Sequence, residues 1–412
     1  PFARGFPMTD PVLPASVLND RFFDERASSV TAIDVAETLP PACYTDAAFY
    51  EFEKEALFNH EWLCLGREEQ VKANGDYFTT KIIGEPLVIV RDRSGTVRAL
   101  SSVCQHRAML VAEGEGNTRG FVCPYHHWTY DLNGKLVGAP AMARTCNFDK
   151  KAHSLPELKV EIWQGFIFVN FDLDAPPLAP RLSTIAAFVE NFQLASAELA
   201  QKFTGQFPWN WKVMFENNND GYHASKLHQG PLHDFIPSHL ASFPDADPRD
   251  AGFLRLNGAL HQDPSFNPTQ KALLPVFPAL TEEERGRVTF ANVPPTLSLV
   301  MTPDMVIYLI LRADGAEQME QDTGVLVAPG AQTDPSFEHR LEVIMTSAGK
   351  IIEQDMHVDE LVQVGLRSRF AVRGRYSWQE GAQGQFNQWL VHRYRQAWEA
   401  QKMQTTDNRV DA

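Results

Sequence analysis

The chain has 412 residues, of which 44% are hydrophobic and 22% are charged, a composition typical of folded globular proteins rather than disordered or fibrous ones. The formal net charge of −15 argues against a nucleic-acid or anionic-membrane partner, because such surfaces repel an acidic protein that has no basic patch. Five cysteines in so long a chain indicate a reducing compartment rather than a disulfide framework. With no apparent secretory signal and no apolar stretch long enough to cross a bilayer, we expect a cytoplasmic protein.

Three parts with different sequence patterns follow one another along the chain. The first 45 residues are rich in proline, aspartate and alanine and predict an extended arm that crosses the surface of the protein or of a neighbouring subunit. Between Asp46 and Trp62 apolar residues recur at helical spacing, which predicts an amphipathic helix. From Tyr77 to Asp172 short β-branched runs, separated by glycine, aspartate and asparagine turns, predict a small antiparallel β-domain.

A proline-rich segment, 175–182, interrupts both patterns and marks the expected domain boundary. We therefore expect an arm over 1–45, a β-domain with its preceding helix over 46–174, and a second, α+β domain over 175–412. Many prolines and aspartates within 230–286 predict long loops over a site. In the second domain the pattern predicts helices at 183–202, 211–228, 339–366 and 380–401, and strands at 203–209, 287–291, 296–301 and 305–312.

Two loops of the predicted β-domain each offer one thiolate and one imidazole. Cys104 and His106 form a C-x-H pair, and Cys123 and His126 form a C-x-x-H pair. A zinc finger pairs cysteine with cysteine and histidine with histidine, whereas a Rieske-type two-iron, two-sulfur cluster needs two cysteines on one iron and two histidines on the other. The mixed order therefore predicts a Rieske-type cluster, with a mixed-ligand zinc site as the alternative.

The residues around the second loop fit a cluster that is shielded from water. Pro124, Trp128 and Tyr130 are expected to wall the cluster, since exclusion of solvent tunes the potential of such a centre. Gly134 is expected to supply the turn of the hairpin that follows.

A second group of candidate metal ligands lies between Trp211 and His228. His223 and His228 are five residues apart and would be separated by about 140° on a regular helix, so both reach one metal only if the helix is bulged or ends between them. Asp220 shares a face with His223 and is expected to orient its ring.

Two histidines and one carboxylate leave positions open for dioxygen on ferrous iron. The third ligand must then be an acid from elsewhere in the chain. Asp355 is our candidate, because it lies in a predicted helix whose acids could line the interior. Glu353 and Asp359 are its rivals.

These motifs resemble the α-subunits of the Rieske non-haem iron oxygenases, the family of aromatic-ring-hydroxylating dioxygenases and related monooxygenases and demethylases. The resemblance implies an N-terminal antiparallel β Rieske domain followed by a C-terminal α/β, helix-grip-like catalytic domain. It extends over most of the chain and includes Glu55–Gly66, Cys104–Arg107, Cys123–Gly134, Gly165–Val169, Glu216–His228, and Asp355 followed eight residues later by Gln363.

The resemblance also implies roles for individual residues. Asp220 would match the acid that connects the two metal centres across a subunit boundary, and Asn217 would match an asparagine near the mononuclear iron. Ala108 and His127 depart from the common pattern, in which glycine is frequent, and are expected to change the packing or potential of the cluster but not its ligation. By the same resemblance Cys104 and Cys123 hold one cluster iron, His106 and His126 the other, and His223, His228 and Asp355 the catalytic iron.

The expected function is that of a terminal oxygenase component. It would hydroxylate an organic substrate with dioxygen and with electrons from NAD(P)H, delivered by a flavin reductase with or without a ferredoxin. The resemblance implies a homotrimer, with or without a β-subunit. The alternative within the family is oxidative N- or O-demethylation of a betaine-like or N-methyl compound. Two alternative functions lie outside the family. An electron carrier would need only the iron–sulfur cluster, and a zinc-stabilised binding protein would need neither the cluster nor the mononuclear iron.

An aromatic substrate is expected for two reasons. Family members that act on choline or betaines tend to have glutamate where this chain has Asp220. Neighbours of the histidines and the strands within 297–311 also predict an apolar pocket, in which an arginine or His233 would hold an aromatic acid. A quaternary ammonium would instead need several aromatic faces. The pocket candidates are Phe215, Leu227, Leu232 and Phe235, and the aromatic candidates for a cation are Phe215, Tyr222 and Phe235.

Overall fold

The computed structural model describes residues 18–228, 230 and 232–410, so the first 17 residues of the predicted arm lie outside the described part. The remainder of that arm differs from the prediction, because it forms short helices that pack on the body of the protein. Phe22 and Phe23 are buried, and the ring of Phe23 stacks on Trp398 with centroids 4.6 Å apart. Helix α1 is Asp20–Glu25, a 3-10 turn covers Arg26–Val30, and α2 is Ala42–Thr45.

The predicted amphipathic helix begins where its sequence pattern begins. Asp46 caps helix α3, Ala47–Glu53, by accepting a hydrogen bond from the N–H of Phe49 at 2.8 Å. The helix continues as a π-helical segment, Lys54–Phe58. Its apolar face is buried, as the periodicity predicts.

An antiparallel β-domain follows, as the short β-branched runs predict. Gly134, at φ 77°, lies in the turn of its last short hairpin, which confirms that prediction. The strands are β1 Leu63–Arg67, β2 Asp76–Ile82, β3 Glu85–Arg91, β4 Val97–Ser101, β5 Glu115–Asn117, β6 Phe121–Val122, β7 Thr129–Tyr130, β8 Leu136–Gly138, β9 Glu157–Trp163 and β10 Phe166–Asn170. Seven of them form one sheet in the order β1-β10-β9-β4-β3-β2-β5, and β6-β7-β8 form a small second sheet.

The second domain combines one large antiparallel sheet with helices, as the α+β prediction states. Its helices are α4 Leu178–Arg181, α5 Ser183–Val189, α6 Trp211–Asn219, α7 Gly221–Ala224, α8 Phe337–Leu366 and α9 Gly381–Val410. Its strands are β11 Glu198–Phe207, β12 Ala241–Ser242, β13 Phe253–Gly258, β14 Arg287–Val293, β15 Leu297–Thr302, β16 Met305–Gly315 and β17 Gln318–Val327. They form one seven-stranded sheet in the order β11-β17-β16-β15-β14-β13-β12.

The predicted helix over 183–202 is wrong in its second half. The helical segment ends in a 3-10 turn, Glu190–Phe192, after which Gln193 adopts a left-handed backbone with φ 47°. From Glu198 the chain is strand β11, which pairs along its whole length with β17. Pairing with a distant strand therefore overrides the local helical preference of this segment.

The large sheet is buried on both faces, which explains its long apolar run. Successive side chains of a strand point to opposite faces. In β16, Tyr308 packs in the cluster that contains Ile185 of α5. Its neighbour Ile307 packs in the cluster that contains Ile344 of α8. No helix within the described part of the chain is long and apolar enough to cross a membrane.

A fully buried ion pair connects three helices of the two domains. The ammonium of Lys212 in α6 lies 2.7 Å and 2.9 Å from the two carboxylate oxygens of Glu53 in α3, and both side chains are 0% exposed. The hydroxyl of Tyr394 in α9 donates to the same carboxylate. Removing one charge would leave the other buried without a counter-ion.

We expect Lys212→Met to destabilise the protein by about 3–5 kcal/mol, the usual cost of breaking a buried pair. The matched control is Lys54→Met, which removes a partly exposed pair with Glu51 and should cost less than about 1 kcal/mol. The measurement is the urea concentration at half-unfolding, followed by circular dichroism. Equal shifts for the two variants would contradict the prediction.

Candidate metal centres and substrate cavity

The two predicted cluster loops have the same backbone hydrogen bonds. In each loop the N–H of the cysteine donates to the carbonyl five residues later, Cys104 to Met109 at 2.9 Å and Cys123 to Trp128 at 2.8 Å. The N–H four residues after each cysteine donates back to the cysteine carbonyl, at 3.0 Å and 2.9 Å. The chain therefore builds two similar loops that each present a thiol and, two or three residues later, an imidazole.

The two departures from the family pattern lie at the position that closes each loop. Ala108 and His127 both adopt a left-handed backbone, at φ 58° and 56°. A residue with a Cβ atom costs about 1–2 kcal/mol in this conformation, whereas glycine adopts it freely. The loop geometry thus explains why glycine suits these positions, and both residues of this chain add strain there.

The cysteines are buried and the histidines lie towards the surface. Cys104 and Cys123 are each 2% exposed, and burial raises the pKa of the Cys123 thiol. The His106 and His126 rings meet edge to face with centroids 4.6 Å apart. A thiolate at Cys123 therefore needs a nearby positive charge, which a bound metal supplies.

The walls of this centre match the prediction in part. Trp128 and Tyr130 are buried, with the indole stacked 4.8 Å from the His106 ring and the Tyr130 hydroxyl 3.4 Å from Sγ of Cys104. Pro124 is exposed, so it does not wall the centre as predicted.

The residues present fit a two-iron cluster better than one zinc ion. Nδ1 of His126 is buried without a hydrogen-bond partner in the described part of the chain, as a nitrogen that ligates a metal would be. Among the described residues, His223, His228 and Asp355 form the one group of three whose ligand atoms all lie within 4.8 Å of one another. The Cys104 to His126 set is not such a group, as expected of ligands that are divided between two bridged irons.

The chain is helical on both sides of Asp220, and the second, short helix α7, Gly221–Ala224, contains His223 and ends before His228, as the spacing of the two histidines requires. Helix α6 stops at Asn219, and Asp220, at φ −78° and ψ 107°, caps the short helix α7. The Asp220 carboxylate accepts hydrogen bonds from the N–H groups of Tyr222 and His223 at 2.6 Å and 3.3 Å. Its other oxygen lies 3.1 Å from Nδ1 of His223. Asp220 therefore turns the chain and orients the first histidine.

Three ligand atoms from distant parts of the chain converge. Nε2 of His223 lies 3.1 Å from Nε2 of His228. Oδ1 of Asp355, from α8, lies 2.8 Å from Nε2 of His228 and 3.5 Å from Nε2 of His223. Nδ1 of His228 lies 3.0 Å from the amide oxygen of Gln354, which holds the second ring in place. One face of this set is left free for further ligands, as in two-histidine, one-carboxylate iron sites.

The electrostatics of these residues favour a cation. Burial opposes a charged His223, but the hydrogen bonds and charges of Asp220 and Asp355 outweigh burial and raise its pKa to about 9. Burial likewise opposes a charged Asp355, yet the two histidines hold the pKa of that carboxyl below its ordinary value. A divalent metal would take the place of the proton on His223.

The rival acids occupy other environments. Glu353 is exposed. Asp359 is buried, accepts a hydrogen bond from Asn217 at 2.8 Å and does not belong to the converging set. Burial, reinforced by the charge of Asp355, raises the pKa of Asp359 to about 8, so it is mainly protonated near neutral pH. The geometry favours Asp355, and Asn217 lines the cavity beside it while donating to Asp359.

A cavity of about 140 Å³ opens beside the three ligands. It lies between the large sheet and helix α8, and its walls are mostly apolar. The sheet contributes Arg255, Phe290, Val300, Ile307, Leu309, Gln321 and Thr323, the long helix contributes Ala348, Ile351, Ile352 and Met356, and Phe266 lies in the loop before β14.

The predicted pocket residues are only partly in this cavity. Leu232 and three side chains of the strands within 297–311 line it, whereas Phe215, Leu227 and Phe235 do not. Phe215 packs between Trp211 and Phe386, and Phe235 packs against Phe266.

The polar candidates for substrate binding are also corrected. His233 and Tyr222 are not among the lining residues, and Tyr222 is exposed. Arg255 lines the cavity instead. The sequence predicted an arginine in the pocket but did not indicate which one. An arginine inside the apolar run of β13 was the signal that could have revealed it.

Two family models match the chain. Residues 61–158 match the Rieske [2Fe-2S] domain, and residues 194–396 match the ring hydroxylating α-subunit, catalytic domain. The first range contains the two cysteine–histidine loops, and the second contains His223, His228 and Asp355. Together the two ranges cover most of the chain.

Similar proteins act on two kinds of substrate. The carnitine monooxygenase oxygenase subunit of Acinetobacter baumannii is 37% identical over 209 residues, which are 48% of this chain and 54% of that protein. The chlorobenzene dioxygenase subunit α of a Cupriavidus species is 34% identical over 211 residues, 49% of this chain and 45% of that protein. The chain thus spans about half the length of the curated relatives it matches.

A solved structure extends the similarity to nearly the whole chain. A quaternary ammonium Rieske monooxygenase, described as giving insight into carnitine oxidation and inter-subunit electron transfer, is 27% identical with a TM-score of 0.74. The match covers 88% of this chain and 96% of that one. With both domains matched and both sets of candidate ligands in place, the chain belongs to the family of Rieske non-haem iron oxygenase α-subunits.

Proposed function

We propose that the chain is the terminal oxygenase component of a system that oxidises a quaternary ammonium or N-methyl compound. The observation that carries the proposal is the convergence of His223, His228 and Asp355 beside an apolar cavity, in a chain that also has the paired cysteine–histidine loops. Carnitine monooxygenase and the quaternary ammonium monooxygenase structure support the substrate class. This choice replaces the aromatic substrate that the sequence favoured.

The proposal assigns the ligands as the resemblance implies. Cys104 and Cys123 would hold one iron of the cluster and His106 and His126 the other, while His223, His228 and Asp355 would hold the mononuclear iron. When bound, the cluster supplies electrons and the mononuclear iron supplies the place where dioxygen reacts with the substrate. One oxygen atom enters the substrate and the other leaves as water, which consumes two electrons and two protons.

The residues of the chain perform the remaining tasks. Asp220 holds the ring of His223 so that Nε2 faces the metal, and Gln354 does the same for His228. The apolar walls keep bulk water from the reacting groups.

Aromatic hydroxylation is the second candidate. The mostly apolar walls of the cavity would accept a flat ring, and the chlorobenzene dioxygenase relative acts on such a compound by its name. A second observation also favours it: Phe290 is covered by Arg255, whose guanidinium carbon lies 3.6 Å from the ring centroid, so the described lining offers few free aromatic faces to a quaternary ammonium.

The proposed assembly is a homotrimer in which electrons pass between neighbouring subunits, and the electrons come from NAD(P)H through a reductase, with or without a ferredoxin. Each centre has a side open to a neighbour: His106 is exposed at the cluster end, and the side chains of Asp220 and His223 are 21% and 23% exposed at the other. The inter-subunit electron transfer described for the similar structure supports this arrangement.

Asp355→Ala should lose the mononuclear iron and keep the cluster, because one of three convergent ligands is gone. Metal and acid-labile sulfide analysis should give three irons for the wild type and two for the variant, with the visible spectrum of the cluster unchanged. Asp359→Ala is the matched control, as it removes a neighbouring buried acid outside the converging set, and it should keep three irons. The reverse result would identify Asp359 as the ligand.

Asp220→Asn should keep both metal centres and slow the oxidation of the reduced cluster by about 10- to 100-fold, the usual effect of losing a group that orients a ligand. Asparagine still caps helix α7, so the fold is retained. The measurement is stopped-flow absorbance of the dithionite-reduced protein mixed with oxygen and substrate.

The oligomeric state is a separate check on the proposed assembly. A monomer that is fully active would contradict it.

The substrate class can be tested without knowing the reductase. The reduced protein is mixed with oxygen-18 gas and one compound, and products of a single turnover are identified by mass spectrometry. We expect labelled oxidation products from trimethylammonium and N-methyl compounds and none with Asp355→Ala. Labelled hydroxyl groups on aromatic compounds alone would reject the first candidate in favour of the second.

A further inference from the structure

Arg255 is a buried cation without a partner. Its side chain is 4% exposed, and Nε and Nη1 make no hydrogen bond to any residue that the structure describes. No described carboxylate lies within 4.0 Å of the guanidinium, although Asp220 is near enough to favour its charge. Buried arginines are normally paired, because an unpaired buried charge costs several kcal/mol.

The scaffold holds this guanidinium in one place. Arg255 in β13 lies directly opposite Phe290 in β14, and the guanidinium stacks on that ring at 3.6 Å. On another side it is confined by Gly221, where an added Cβ atom would lie 3.1 Å from Nη1. Nε and Nη1 are shut off from solvent, Nη1 against Gly221, so Nη2 is the nitrogen of the stacked guanidinium that is left to donate to a carboxylate in the cavity.

The guanidinium also remains charged. Burial lowers the pKa of Arg255 to about 10, partly offset by Asp220, so it is protonated at neutral pH. The same cavity contains the three convergent ligands. A substrate that extends from the ligands to β13 would reach it.

We propose that Arg255 binds an anionic group of the substrate. The substrate of this site would then have a carboxylate at one end, bound by Arg255, and the group that is oxidised at the other end. This inference rests on the proposed function in one respect, because it takes the cavity to be the site where the substrate binds. It adds that a plain cation or a neutral compound is a poor ligand. For the proposed substrate class it specifies a zwitterion with an ammonium near the iron ligands and a carboxylate at Arg255.

The test compares compounds that differ only in the anionic group. Binding to the iron-loaded protein without oxygen is measured by isothermal titration calorimetry for two pairs, trimethylammonium butyrate with its methyl ester and benzoate with benzyl alcohol. In at least one pair the carboxylate should bind about 10- to 100-fold more tightly, as expected for charge-assisted hydrogen bonds. Arg255→Gln should abolish this preference, and Arg255→Lys should keep part of it because the charge remains but the fork is lost.

Arg287→Gln is the matched control. Arg287 lies on the neighbouring strand β14, its guanidinium is 5.4 Å from the Phe188 ring, and it pairs with Glu283 at 2.8 Å outside the cavity lining. This variant should keep the carboxylate preference. Iron content and the cluster spectrum check that each variant is folded. If Arg255→Gln does not fold, the comparison of acid with ester in the wild type still tests the carboxylate preference.

The outcomes separate the two proposals. A preference for benzoate that depends on Arg255, with neither trimethylammonium compound bound, supports the role of Arg255 and rejects the quaternary ammonium substrate. Binding of ester and acid with equal affinity rejects the role of Arg255 and leaves the substrate class intact. A carboxylate preference that survives Arg255→Gln, or no binding by any carboxylate, also overturns the proposed role.

Discussion

The carboxylate of Asp220 is the interaction on which the geometry of the catalytic domain depends. On a continuous helix the rings of His223 and His228 would point in different directions, since five residues turn the helix well past one full turn. Asp220 ends one helix, caps the next and holds Nδ1 of His223, all with one side chain. Helix α7 then ends at Ala224, so the chain can turn back before His228, whose Nε2 lies 3.1 Å from that of His223. The end of α7 between the two histidines is therefore a requirement of the site and not a defect of the helix.

The large sheet and the long helix α8 fix the position of the third convergent residue, Asp355, and the walls of the cavity. Asp355 contributes an oxygen to the site from the middle of a helix of 30 residues, whose own position is fixed by packing on one face of the sheet. The other face of the sheet is covered by α5 and its neighbours. Because both faces are buried, the sheet cannot shift relative to the helix without exposing apolar surface, which costs about 25 cal/mol per Å². The cavity thus has rigid walls, and the ligands keep their separation before a metal binds.

Local sequence patterns predicted those features that depend on short spacing. The two cysteine–histidine loops, the break between the histidines and the long helix with Asp355 were all accessible from residue type and spacing. The helix predicted over 183–202 is wrong only in its second half, because β11 is specified by β17, more than a hundred residues away. Phe215 and Phe235 were placed in the pocket because of their position in sequence, yet their rings pack into the core. Arg255 could not be ranked above other arginines, because its lack of a partner is a property of the folded cavity alone.

The charges of the cavity connect the metal site to the choice of substrate. Asp220 and Asp355 are carboxylates, and together they balance the two positive charges that ferrous iron would bring once it replaces the proton on His223. Asp359 is mainly neutral near pH 7, because burial and the charge of Asp355 raise its pKa to about 8. The charge of Arg255 is then the one left uncompensated among the described lining groups. A simple ammonium compound would add a second positive charge to this cavity. A zwitterion would pair Arg255 and leave the net charge unchanged, and a singly charged carboxylate would remove the imbalance. In either kind of compound, a carboxylate at Arg255 would pair a buried guanidinium that the described residues leave unpaired.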